Sequence, residues 1–117
     1  MNPVAKILAA LVALEHVYIL FLEMFLWTTP RGRKAFGTDE DFAKKSKALA
    51  ANQGLYNGFL AAGLIYGVAT GSVEFKLFFL ACVLIAGVYG GLTAKRSILT
   101  IQALPGLIAL AAVLLTR

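Results

Sequence analysis

The sequence predicts an all-α integral membrane protein, a bundle of four transmembrane helices in antiparallel up-down order, with residues 1–117 forming one transmembrane domain. Three observations carry that reading. Hydrophobic residues make up 60% of the chain and charged residues 15%, against roughly 45–50% and about 25% in ordinary soluble domains. The apolar residues fall in long runs instead of at the spacing of an amphipathic helix or strand, so lipid is the natural solvent. Lys and Arg gather in the connections between those runs, where they read as topology signals and not as a nucleic-acid patch, despite a net charge of +5.

The first span is expected over residues 4–27. Lys6 ahead of an apolar run invites comparison with a signal peptide. The run is too long for one, is interrupted by Glu15 and His16, and has no small-residue cleavage site, so it is expected to stay attached. It ends at Trp27-Thr28-Thr29-Pro30, where a headgroup-level tryptophan and a proline are natural terminators. Residues 28–47 form a polar cytoplasmic connection carrying Arg31, Arg33, Lys34, Lys44, Lys45 and Lys47. Within it Thr38 or Asp39 is placed to cap a short amphipathic segment that buries Phe36 and Phe42 at the membrane surface.

The remaining spans are expected over residues 48–70, 75–92 and 98–115, the last kinked at Pro105-Gly106. The turns between them, Gly71 to Glu74 and Thr93 to Ser97, leave room only for antiparallel neighbours. Cys82, the one cysteine, lies inside an apolar run with no second thiol and reads as a small packing residue. Eight positive charges (Arg31, Arg33, Lys34, Lys44, Lys45, Lys47, Lys95, Arg96) lie on one side and three (Lys6, Lys76, Arg117) on the other. The positive-inside rule therefore turns both termini away from the cytoplasm.

Polar residues within spans are the informative ones, because a charge at a span's centre costs about 2.5–3.5 kcal/mol on insertion scales. At 100° per residue His16, Glu23 and Trp27 share a narrow stripe of the first span, with Glu15 and Tyr18 on its shoulder. The second span repeats the pattern with Asn52, Gln53, Tyr56 and Asn57, on an arc shared with Gly63 and Gly67. Counted from the cytoplasmic ends, Glu23, Asn52, Gln53, Tyr89 and Gln102 lie roughly 5–8 Å deep. They form one polar layer above a deeper one of Glu15, His16, Tyr56 and Asn57. The expectation is a tapering polar cavity open to the cytoplasm, with Glu15, His16, Tyr18, Glu23, Asn52, Gln53, Tyr56, Asn57 and Gln102 as its ligand-binding residues.

Each feature also has a structural reading. Glu15 and His16 are adjacent and so point about 100° apart; Glu15 hydrogen-bonded to Tyr56 or Asn57 would be a scaffold contact. The amides of the second span serve equally as glue between helices. One histidine and two carboxylates on one helix are too few ligands for zinc or iron, so no metal is assigned. No nucleophile-base-orienter set, phosphate loop or dithiol motif is present, and no cofactor is named by the sequence.

The residues Ala13-Leu14-Glu15-His16, Glu23-Met24-Phe25 through Trp27, Thr29-Pro30-Arg31-Gly32, Phe36-Gly37 and above all Asn52 to Ala61 (NQGLYNGFLA) resemble those of a family of small bacterial membrane proteins, domain of unknown function 1304. The resemblance covers essentially the whole chain. It implies a four-span protein of the bacterial inner membrane and transfers no reaction to any residue.

Three functions compete. The first is a small-molecule or ion-binding protein, a transporter subunit included, in which Glu15 and Glu23 supply charge or proton coupling, His16 relays a proton, and Asn52, Gln53, Tyr56 and Asn57 orient the ligand. Transport by so few helices would call for a homo-oligomer, with Gly54/Gly58 and Gly87/Gly91 as the contact faces. The second is an intramembrane isomerase or hydrolase acting on a lipid-like substrate, with His16 and a carboxyl as acid and base. The third is a structural, partner-binding subunit whose polar groups are all paired with each other.

Overall fold

The computed structural model describes residues 2–117, and its order is helical throughout: α1 (Pro3–Met24), α2 (Pro30–Phe36), α3 (Glu40–Lys45), α4 (Lys47–Thr70), α5 (Val73–Thr93), a π-helical turn (Leu99–Ala103) and α6 (Leu104–Thr116). No strand occurs among the described residues. Three helical stretches, Pro3–Met24, Val73–Thr93 and Leu99–Thr116, are long and apolar enough to cross a membrane. At 24 residues α4 has the length, but Asn52, Gln53, Asn57 and its glycines dilute its apolar character below that of the others.

Burial runs opposite to that of a water-soluble protein. Small side chains are inside: Ala5, Ala9, Val12 and Ala13 of α1, and Ala109 and Val113 of α6, are almost wholly shielded. Large apolar ones are outside, among them Leu11, Phe21, Phe78, Ile85, Leu92 and Leu115, the last 85% exposed. An apolar outer surface of this extent suits a lipid environment, in which close approach of small residues, and not expulsion of water, holds helices together.

Contacts within the chain divide it into two compact units, one built from the chain through Leu14 together with Leu60–Arg117, the other from Glu15–Phe59. The first has the apolar core, where Ala5, Ala9 and Val12 meet Leu64, Leu80, Val83 and Ala109. Its helices touch at glycines. A Cβ on Gly87 would lie 2.5 Å from the backbone nitrogen of Ala103, one on Gly106 would lie 2.9 Å from Val83 Cγ1, and one on Gly63 would collide with the Phe79 ring.

The irregularity expected at Pro105-Gly106 takes the form of a π-helical turn just before it. Pro105 has no N–H to offer the carbonyl one turn back. The backbone widens accordingly, with Leu104 N–H bonding to Leu99 O, a spacing typical of π-turns.

The second unit contains the long connection, which is more ordered than a polar loop. Helix α1 stops at Met24, short of Trp27, and α2 starts at Pro30, a residue suited to a first helical position. Thr29 caps α2 by accepting from Gly32 N–H at 3.3 Å, and Gly37 closes it in the left-handed conformation at φ 69°. Asp39 caps α3 by accepting from Phe42 N–H at 2.7 Å. In place of one amphipathic segment there are two short helices, and the two phenylalanines differ. Phe36 is half-buried against Trp27, ring centroids 4.9 Å apart, whereas Phe42 is 54% exposed. Lys44, 3.1 Å from Glu40, holds the Glu40 carboxyl below its ordinary range.

Gly87 and Gly90 make a matched pair for testing the packing. A Cβ at Gly90 meets only Ile98, at 3.4 Å. Gly87→Ala is expected to cost about 1–3 kcal/mol by overpacking and Gly90→Ala far less, read as unfolding midpoints in detergent. Equal midpoints would refute the close approach at Ala103.

Candidate functional site

In the second unit Asn57 Nδ2 donates to Glu23 Oε1 at 2.5 Å, a hydrogen bond between buried side chains far apart in sequence. Both residues are 7% exposed. Glycine makes the bond possible. A Cβ on Gly54 would lie 2.6 Å from Met24 Cγ and 3.1 Å from Glu23 Cβ, and one on Gly58 would lie 2.7 Å from Leu20 Cδ1. With those hydrogens in place of methyl groups, α4 lies against α1 closely enough for a short amide side chain to span the gap.

His16 is completely buried, two turns along α1 from Glu23 on the same stripe, or about 10 Å away at 1.5 Å per residue. Glu15, half-buried, keeps its Oε1 shielded from solvent with no hydrogen-bond partner. The other residues singled out in the sequence are placed differently. Asn52, Gln53, Tyr56 and Tyr18 are exposed. Tyr56 packs on Phe59 at 6.0 Å between ring centroids, and Tyr18 lies under the Arg31 guanidinium at 5.8 Å. Gln102 is half-buried on the π-helical turn and belongs to the other unit. Of the nine, the structure therefore joins Glu23 to Asn57 by a hydrogen bond.

The glycine pairs Gly54/Gly58 and Gly87/Gly91, expected as faces for contact between copies, are each approached within the chain. These faces are already filled by the chain itself, Gly54 and Gly58 by Leu20 and Met24, Gly87 and Gly91 by Ala103 and Leu99. A four-residue glycine spacing announces a close helix neighbour without saying whether it belongs to the same chain.

The connection after α1 is pinned close to this pair in sequence. Trp27 Nε1 donates to Ser46 Oγ at 3.1 Å, and Ser46 Oγ donates to Phe42 O at 2.7 Å. Gly32 is fully enclosed, with the Leu26 carbonyl occupying the place a Cβ would take. The sequence marked Trp27 as a headgroup-level terminator on the stripe of His16 and Glu23, without a partner, and passed over Ser46. The signal available was a Trp indole N–H, which needs an acceptor when shielded.

Chemically, a shielded carboxyl with an amide donor on one oxygen can hold a proton or accept a small cation, since a bare charge at that depth needs compensation. Among the described residues no three His, Cys, Asp or Glu side chains are grouped to hold a metal ion. A surface depression of about 290 Å³ lies in the first unit, lined by Lys76, Thr116, Arg117 and Ala5 among others, and includes none of the nine residues. Lys76, completely buried one turn into α5, was read in the sequence only as a topology charge.

A family described as "Protein of unknown function (DUF1304)" matches residues 10–114. An uncharacterized protein, YpaA, of Lactococcus lactis subsp. lactis (strain IL1403) is 32% identical over 106 residues, which cover 87% of this chain and 89% of that protein. No solved structure matches the chain.

Asn57→Ala leaves the Glu23 carboxyl shielded without its donor and is expected to cost about 1–3 kcal/mol. The double variant Glu23→Leu/Asn57→Ala, which removes both polar partners, is expected to cost less than Asn57→Ala alone. A thermodynamic cycle over the single and double variants reads this coupling, and strictly additive costs would contradict it.

Proposed function

The chain belongs to the family described as protein of unknown function DUF1304, a membership that brings no reaction with it, and we propose from its own residues that it is a four-span protein of a bacterial plasma membrane which binds a small molecule or ion at Glu23. The observation that carries the proposal is the enclosed Glu23 carboxyl, held by Asn57 across a glycine contact. Ionisable groups inside membrane helices are expensive to keep, and those that persist commonly serve a proton or ion. His16, enclosed on the same stripe, is a further ionisable side chain of the same helix.

Several observations support α4 as a fourth span and an antiparallel order of successive spans. Gly54 meets Met24 and Gly58 meets Leu20; Gly63 meets Phe79 and Gly67 meets Phe75; Gly87 meets Ala103 and Gly91 meets Leu99. In each pair of contacts one residue number rises as the other falls, as neighbours of opposite direction require. The charge asymmetry of the connections supports a cytoplasmic side for residues 28–47 and a non-cytoplasmic side for both termini. A bacterial plasma membrane fits the source of the YpaA relative.

The direct bond between Glu23 and Asn57 favours a second reading, in which the pair is glue between helices and no guest enters. One experiment separates the two. Glu23→Gln preserves the shape and the acceptor for Asn57 while removing the charge and the exchangeable proton. Trp27 is the only tryptophan and follows α1 directly, so its emission reports on this unit. In nanodiscs, wild-type emission is expected to change with pH and with added sodium, potassium or small organic amines, and the Glu23→Gln protein is expected to lose that response. Matching responses in the two proteins, or none in either, would leave the pair as glue and refute a binding role.

A further inference from the structure

The connection between α1 and α4 carries more positive charge than its own acids neutralise, and its polar surface is interrupted by exposed apolar side chains. Six basic residues (Arg31, Arg33, Lys34, Lys44, Lys45, Lys47) face three acids (Asp39, Glu40, Asp41). All three acids are engaged locally: Glu40 pairs with Lys44 and Asp41 with Lys45, each at 3.1 Å, and Asp39 caps α3. Arg31, Arg33, Lys34 and Lys47 remain as surplus.

Their placement is ordered. On α2, Gly32 and Phe36 turn inward, Phe36 against Trp27, and this leaves Arg31 and Lys34, three residues apart, on the outward side, both exposed. Arg31 is steadied over the Tyr18 ring of α1. Lys47, also exposed, opens α4 beside Leu49, which is 75% exposed, and Phe42 of α3 is 54% exposed. Ala43, by contrast, is fully buried, so α3 is docked on one side and free on the other.

Cations with aliphatic stems next to exposed Phe and Leu are the composition of a surface that sits at a lipid headgroup boundary, apolar groups dipping in and cations meeting phosphates. We propose that the outer surface of α2, α3 and the start of α4 binds anionic phospholipid headgroups, with Arg31, Lys34 and Lys47 as the phosphate-facing cations. This rests on the chain lying in a membrane and is independent of any guest at Glu23. Each juxtamembrane cation near an anionic surface raises its affinity about five-fold. The surface therefore selects anionic over zwitterionic lipid, and the selection weakens with salt.

The test uses the full chain in maltoside micelles offered equal amounts of short-chain phosphatidylglycerol and phosphatidylcholine, with retained lipid counted by native mass spectrometry. The wild type is expected to retain phosphatidylglycerol preferentially. The triple variant Arg31→Gln/Lys34→Gln/Lys47→Gln is expected to lose that preference by at least about ten-fold, and Lys6→Gln/Arg117→Gln, which removes charges of other segments, to keep it. Should the triple variant fail to fold, Lys34→Gln alone is expected to lower the preference about five-fold. The proposal is overturned if the wild type shows no preference, if the triple variant (or Lys34→Gln in its place) keeps the wild-type ratio, if Lys6→Gln/Arg117→Gln lowers it equally, or if inorganic phosphate at matched ionic strength displaces the lipid, which would make this a site for a free anion.

Discussion

Helices in lipid gain nothing from hiding apolar surface, because the surroundings are as apolar as they are; what joins them is the closeness with which backbones can approach. The packing of this protein, with three helical stretches long and apolar enough to cross a membrane, fits that constraint. The inward faces are built mainly from alanine, glycine and valine, with Leu22, Leu64 and Leu80 among them, while most of the phenylalanines, leucines and isoleucines are turned outward. A substitution of one methyl group at Gly87 or Gly54 would act on a backbone or on a neighbouring helix, not on an adaptable side chain alone. Close packing therefore supplies the specificity that a hydrophobic core supplies in water.

The same constraint makes the polar pair. An asparagine is short, and it reaches the Glu23 carboxyl only because Gly54 and Gly58 let α4 lie against Leu20 and Met24. Sequence, packing and chemistry are linked at this point: two hydrogens in place of side chains fix a distance, and the distance allows an amide to satisfy a carboxyl that lipid could not. The connection that follows α1 is fixed by comparable means, through Gly32 under the Leu26 carbonyl and the Trp27 indole bonded to Ser46.

The all-α class and three long apolar helices were legible in the sequence from its long apolar runs, and of the two residues read as caps, Thr38 and Asp39, it is Asp39 that caps α3. The inward face of α4 was not legible. At 100° per residue the buried stripe passes through Ala50, Gly54, Asn57 and Ala61, with Asn52 and Tyr56 well round the helix and Gln53 at the edge. Grouping every polar residue of α4 on one inward arc therefore set its centre wrongly. The glycines carried the missing information, but a glycine stripe read without a partner pointed to a second copy of the chain instead of to α1. The two short helices of the connection have local caps in Thr29, Gly37 and Asp39, but the Trp27–Ser46 bond that ties the connection together joins residues nearly twenty apart, which no local pattern records.

The central claim is that the outward apolar surface faces lipid while the small-residue seams are closed. Ile85 is 69% exposed at the middle of α5 and Val83, two residues away, is fully buried. With Cys82 replaced by Ala, a spin label at Ile85 in liposomes is predicted to be relaxed by lipid-dissolved oxygen and untouched by a water-soluble relaxant, and a label at Val83 to be reached by neither. Relaxation of the Ile85 label by the water-soluble agent would contradict the account.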